Sequence, residues 1–173
     1  MKYPKLVTKK SQGVDGEPRQ QYAALPWRLV GEGVEILLAS SRDTRRWVIP
    51  KGWPMKGLKP FAAAATEALE EAGVVGKIEK KKLGSYHYRK RLKNGAALLC
   101  RVDVFPLQVA RQRKNWREKK QRVSQWRPYA EAADQVVEEE LSEMILSFGE
   151  AQSKVAEAAK SARKAAVAMA KKS

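Results

Sequence analysis

The chain has 173 residues, 43% of them hydrophobic and 31% charged, enough for one soluble domain with a real core and room for an appendage. A formal net charge of +16, from 35 Lys and Arg against 19 Asp and Glu, points to a polyanionic partner. No apolar run approaches the roughly 18 residues that span a bilayer, the opening MKYPKLVTKKSQ lacks the apolar stretch of a secretory signal, and Cys100 alone excludes a disulfide framework or thiolate zinc cluster, so a reducing cytoplasm is the expected home.

Residues 1–17, with Gly13 and Gly16, read as an extended N-terminal arm. YAALPWRL and VEILLAS (34–40) are apolar runs of strand length separated by the turn-like GEG. A polar loop, SRDTRRW, leads into a short strand WVI that Pro50 halts. An alanine-rich helix is expected over 60–72, with Pro60 at its first position and Gly73 as its C-terminal cap. Lys59 is a poor N-cap.

A basic strand region (about 77–91), the turn-like KNGA and the strand ALLCRVDVF predict a hairpin, closed by Pro106. The basic stretch to Arg122 is expected as loop, and VSQWRP as a last short strand. Residues 128–148 alternate apolar and acidic at helical spacing, and Gly149 is expected to end that helix. From 150 to 173 the chain is almost all Ala, Lys, Ser and Val, a basic helical tail. Strands, a helix, more strands and a final helix predict an α/β fold, a mixed sheet with helices on its faces.

The chemistry concentrates in GWPMKGLKPFAAAATEALEEAGV, residues 52–74. At helical spacing Glu67, Glu70 and Glu71 share a face within an arc of roughly 100°. Such like charges oppose the helix unless a cation sits among them, and carboxylate oxygens suit a hard ion, Mg²⁺ or Mn²⁺. Two basic clusters, Lys80–Lys93 and Arg111–Arg122, supply positive charge for phosphates.

The order Gly52, Leu58, Thr66, Glu67, Ala68, Glu70, Glu71, Gly73, Val74 resembles the box motif of the Nudix hydrolases. Two positions depart from it: Leu58 stands for the first glutamate and Thr66 for the arginine. In relatives those two are expected to form an ion pair, replaced here by packing of Leu58 and a neutral Thr66. LLASSRDTRRWVIPKGWPMKG and WREKKQRVSQW are similar to segments of the diphosphoinositol polyphosphate and diadenosine polyphosphate phosphohydrolase branch, so that the likeness covers roughly residues 18–148 of a domain expected over 18–149.

The resemblance implies an α/β/α sandwich that hydrolyses a phosphoanhydride in a highly phosphorylated small molecule. It implies metal binding by Gly52, Glu67, Glu70 and Glu71, with Glu71 or Glu70 as the base that takes a proton from water. By position it assigns substrate phosphates to Arg19, Arg42, Arg46, Lys51, Arg91 and Arg122. Trp53, beside the glycine loop, is a candidate pocket wall. His87, the sole histidine, reads as a surface or strand residue, and Cys100 as a small buried hydrophobe. The partner expected is a polyphosphorylated small molecule, with no membrane and a monomer or homodimer. A nucleic-acid-binding protein and a domain that binds a phosphorylated ligand without cutting it are the rival readings.

Overall fold

The computed structural model describes residues 17–172, so the expected N-terminal arm lies outside the described residues except for Glu17. Eight strands form one mixed sheet: β1 (Arg19–Val30), β2 (Gly33–Ser40), β3 (Trp47–Val48), β4 (Lys51–Gly52), β5 (Val74–Ile78), β6 (Gly84–Arg91), β7 (Ala97–Gln112) and β8 (Ser124–Pro128). The helices are α1 (Pro60–Ala72), α2 (Tyr129–Gln135) and α3 (Glu139–Ala170).

The central path runs β3-β2-β1-β7-β5, with β4 on β1, β6 on β7 and β8 on β2. Among the eight described strands β1 and β7 are the pair that runs parallel, from Arg19↔Cys100 to Trp27↔Gln108. β1 and β2 form the expected hairpin around Gly31, whose φ of +63° suits a residue without a side chain. β6 and β7 form the second hairpin, from Gly84↔Val104 to Arg91↔Ala97.

Because strand side chains alternate, β1 feeds two cores. Ala23, Leu25 and Trp27 join Ile36, Leu38, Val102, Val104, Leu141, Ile145 and Phe148 on the α2/α3 face. Ala24 joins Leu37, Phe105, Leu107 and Val74 against Ala64, Ala68 and Ala72 of α1 on the other. The small alanines let α1 lie close to the sheet. The result is the expected α/β/α sandwich.

Three local expectations are corrected. Pro106 does not close a strand; β7 runs on to Gln112. Its absent N–H falls where β6 has ended at Val104 and β5 has not yet begun at Leu107, and its carbonyl still accepts from Glu79 N at 2.9 Å. The helix expected over 128–148 breaks at Val136, whose backbone is extended, and resumes at Glu139. Gly149 does not end it: α3, 32 residues long in all, runs on to Ala170, and a Cβ at 149 would strike the Tyr129 ring, so this glycine serves close packing of α3 on α2. The tail is helical as expected; beyond Glu150 it is largely exposed, with Lys160 paired to Glu32 of the β1–β2 turn.

Candidate active site

β4 pairs antiparallel with β1 through Tyr22↔Gly52 and Ala23↔Lys51, and Ala24 N donates to Pro50 O at 3.0 Å. This pins the glycine loop against the sheet. Pro60 then starts α1 as expected, with no side-chain cap at Lys59, and Gly73 ends it in the left-handed region at φ +69°. The carboxylate of Glu67 lies so close over Gly52 that a Cβ there would collide with it. Gly52 is therefore required by contact, whatever its backbone angles.

One turn further on, Glu71 is buried, 6% exposed. Its Oε1 accepts from Arg122 Nη2 at 3.2 Å, while its Oε2 is buried with no hydrogen-bond partner. Burial pushes the Glu71 carboxyl up to about 7, against the opposing pull of Arg122 and Lys51. Burial also raises Glu67 to about 7, aided by the charges of Glu70 and Glu118. Lys51 is lowered to about 8, first by loss of hydration and, in the same direction, by Arg46 and Lys90; Glu71 and Glu138 oppose. Two acids and a base are thus held with their charges poorly solvated, the electrostatic pattern of a working site.

Glu118, which interrupts the second basic cluster, is the residue the sequence reading missed. The loop after β7 is tied to the end of α1 by Arg113 N to Gly73 O (2.8 Å) and Glu118 N to Glu70 O (3.0 Å). The Trp116 ring lies where a Cβ on residue 73 would be. Glu118 is thereby brought to Arg122 Nε at 3.4 Å and Arg42 Nη1 at 3.3 Å. Its charge acts on both Glu67 and Glu71. The available signal was the lone acid among basic residues.

The sequence-expected residues are distributed as follows. Arg122, 10% exposed, bridges Glu71, Glu118 and the Ser40 carbonyl (3.2 Å) and so grips carboxylates. Arg42, 55% exposed, reaches Glu118. Arg46 binds Glu138 at 2.5 Å, and both its guanidinium and the Lys51 ammonium lie over the Tyr88 ring. Tyr88 donates to Gln21 Oε1 at 2.6 Å. Arg19 lies over Trp53, 5.5 Å from the ring centroid. Arg91 stands exposed at the end of β6. Cys100 is buried and His87 exposed, as expected.

At the two departures, Leu58 is 45% exposed, so the expected packing is not found. Thr66 donates to Ala62 O at 2.9 Å, satisfying its hydroxyl within α1.

The glutamate trio does not converge. Glu70 faces Arg117 Nη1 at 3.3 Å and Glu71 faces Arg122, each acid drawn to the nearest guanidinium. Among the described residues no group of three or more His, Cys, Asp or Glu is gathered to hold a metal. The donor set nevertheless fits a hard divalent cation. It is all carboxylate oxygen, and Glu71 Oε2 is a buried acceptor lacking any proton donor. Glu67, Glu70, Glu71 and Glu118 are the side chains that could hold the ion, with the Lys51 or Gly52 carbonyl beside them.

No protein-family model matches the chain. Among curated proteins it is 31% identical over 104 residues to "Nudix hydrolase 12, mitochondrial" of Arabidopsis thaliana, covering 58% of this chain and 51% of that protein. Identity to "Nudix hydrolase 18, mitochondrial" of the same plant is 29% over 133 residues, 73% of each. To diphosphoinositol polyphosphate phosphohydrolase 3-alpha of Mus musculus it is 32% over 100 residues, 58% of this chain and 57% of that protein. The chain thus spans from about half to about three quarters of the length of these relatives. In three dimensions it is similar to the C. elegans Ap4A hydrolase binary complex (TM-score 0.57, 19% identity, 75% of this chain and 94% of that one). It is equally similar to the NUDIX domain of Shewanella oneidensis NrtR complexed with ADP ribose (TM-score 0.57, 14% identity, 82% and 93%).

Proposed function

We infer that this chain, which has the Nudix fold and is similar in sequence to Nudix hydrolases, hydrolyses a phosphoanhydride bond in a polyphosphorylated small molecule. The observation that carries the reading is a pair of carboxylates, the half-buried Glu67 over Gly52 and the buried Glu71 with an unpartnered oxygen, framed by Lys51 and Arg122.

A bound Mg²⁺ or Mn²⁺ would neutralise developing charge on the phosphates and lower the pKa of its water. The chain's own residues do the rest. Gly52 leaves room for Glu67 to lie against the loop backbone, so the acid and the phosphate-approaching backbone share one small space. Glu71, with its carboxyl near 7, is suited to accept a proton from water at neutral pH, and Glu70, one residue earlier, is the second candidate base. Lys51 and Arg46, side by side over Tyr88, offer cationic donors to the phosphate chain. Arg42, which reaches Glu118, with Arg19 and Arg91, would complete the set that holds a long polyphosphate. Arg122 orients Glu71 and Glu118, and would reach phosphate only by leaving them.

The substrate class is a diphosphoinositol polyphosphate or a diadenosine polyphosphate, and the compartment a reducing cytoplasm. The test is hydrolysis, with Mg²⁺, of a panel holding both of these, nucleoside diphosphate sugars and triphosphorylated RNA. Wild type should cleave at least one with metal present, and Glu70→Gln and Glu71→Gln should cleave far less. Equal turnover by all three proteins would remove the active site from α1.

A further inference from the structure

Past Ala156 the helix α3 leaves the domain, and residues 157–172 are all exposed. Burial cannot account for this extension. Alanine propensity keeps it helical to Ala170, and an exposed ion pair, Lys160 with Glu32 of the β1–β2 turn, ties it to the domain. Such a surface pair stabilises little.

The exposed stretch is cationic. Lys160, Arg163, Lys164, Lys171 and Lys172 stand against one acid, Glu157. Lys160, Arg163, Lys164 and Lys171, the last a C-cap that keeps helical backbone, share an arc of roughly 100°. The opposite face is alanine, interrupted by Val155 and Met169. This charge lies far from the carboxylates. Gly52 pairs with Tyr22 near the start of β1, with α1 on the other face of the sheet from α3, whereas the tail meets Glu32 beyond the end of β1. From Tyr22 to Val30 the strand spans about 26 Å, at roughly 3.3 Å per residue.

The composition of the tail selects among polyanions. A membrane-surface helix needs Trp, Phe or Leu on its apolar face, and residues 150–173 contain none. The same lack leaves no anchor for a pocket on an acidic protein and no ring on which single-stranded bases would stack. A straight cationic rod instead suits a regular, dense line of phosphates. Duplex DNA carries one charge per about 1.7 Å of axis, and its major groove admits a helix where that of double-stranded RNA does not. With Arg163 alone among residues 157–172 able to grip a base edge by two donors, sequence is not read. We propose that residues 157–172 form an arm that binds the phosphates of duplex DNA, without sequence preference, at the end of the molecule remote from the carboxylates.

The test is fluorescence anisotropy of a labelled DNA duplex titrated with the full chain, from about 50 to about 200 mM KCl. With all the tail cations engaged, log affinity should fall against log salt with a slope of about −4.5, roughly −0.9 per phosphate. The triple variant Arg163→Gln, Lys164→Gln, Lys171→Gln should bind about tenfold more weakly or worse and flatten the slope by roughly 2.7; glutamine keeps the helix propensity of the residues it replaces. Removing the same charge from the domain, by Lys80→Gln, Lys81→Gln and Lys93→Gln, should cost less than about threefold. Glu157→Lys should tighten binding, and it carries the comparison if circular dichroism shows that the tail variant has lost helix. No binding of DNA by wild type, or equal losses in the two triple variants, overturns the proposal. So does tighter binding to double-stranded RNA, to a poly(dT) strand or to a phosphatidylserine vesicle than to the duplex. The outcome does not depend on the hydrolytic reading, since phosphoanhydride cleavage should be the same in the tail variants as in wild type.

Discussion

Glu71→Gln should make the metal-free protein more stable at pH 8 while abolishing its hydrolysis. Glu71 is buried, and its carboxyl ionises near 7 in the folded protein against an ordinary 4.5. A shift of that size, at 1.36 kcal/mol per unit, makes the ionised form cost roughly 3 kcal/mol in the fold. Because the folded pKa is raised, the folded state holds the proton longer than the unfolded chain does. Stability therefore falls as pH rises from about 4.5 to about 7, and stays lower above that. The attraction of Arg122 is already inside this balance, and after substitution Arg122 keeps Glu118 and the Ser40 carbonyl. Neutral glutamine removes the penalty. In a chain of this length, where 1 kcal/mol moves Tm by about 2–4 °C, the variant should melt on the order of 5–10 °C higher at pH 8. The gap should close toward pH 4.5. Thermal denaturation from pH 4.5 to 8.5 in the presence of a chelator reads both. A variant that melts below wild type at pH 8 would mean that the ion pair with Arg122 outweighs burial, and the reasoning fails.

Three further outcomes follow from contacts at the site. Gly52→Ala drives a Cβ into the Glu67 carboxylate and should abolish hydrolysis while costing about 1–3 kcal/mol by denaturant titration. Gly73→Ala meets both the left-handed backbone and the Trp116 ring; it should lower Tm and loosen the 113–122 loop, read as faster amide exchange at Glu118. Arg122→Met strands the buried Glu71 and leaves the half-buried Glu118 to Arg42; it should cost on the order of 3 kcal/mol at pH 8 without metal, while tightening Mn²⁺ binding by removing a competing cation.

The parts of the fold legible in the sequence were those set by local chemistry. Pro60 and Gly73 bracket α1 because one tolerates a missing N–H and the other a positive φ. The β1–β2 and β6–β7 hairpins followed from strand-length apolar runs and glycine turns. What escaped was set by neighbours distant in sequence. Pro106 passes through a strand because the strand beside it changes there from β6 to β5. Gly149 sits mid-helix because Tyr129 needs the space. At the site, the acids on one face of α1 were visible, but Glu118 is delivered by Trp116 packing on Gly73, a contact 43 positions apart. Arg122 was legible as a cation near phosphate chemistry; that it faces two carboxylates depends on where Ser40 and Glu71 meet in space.

The central claim is that the carboxylates around Gly52 hold a divalent cation. Mn²⁺ titrated into the full chain, with free ion followed by its six-line paramagnetic resonance signal, tests it without any substrate. Wild type should deplete the free signal, more strongly at pH 8 than at pH 6 because Glu67 and Glu71 must give up protons near 7, and a Glu67→Gln, Glu71→Gln double variant should leave it nearly untouched. Equal depletion by the two proteins would contradict the account.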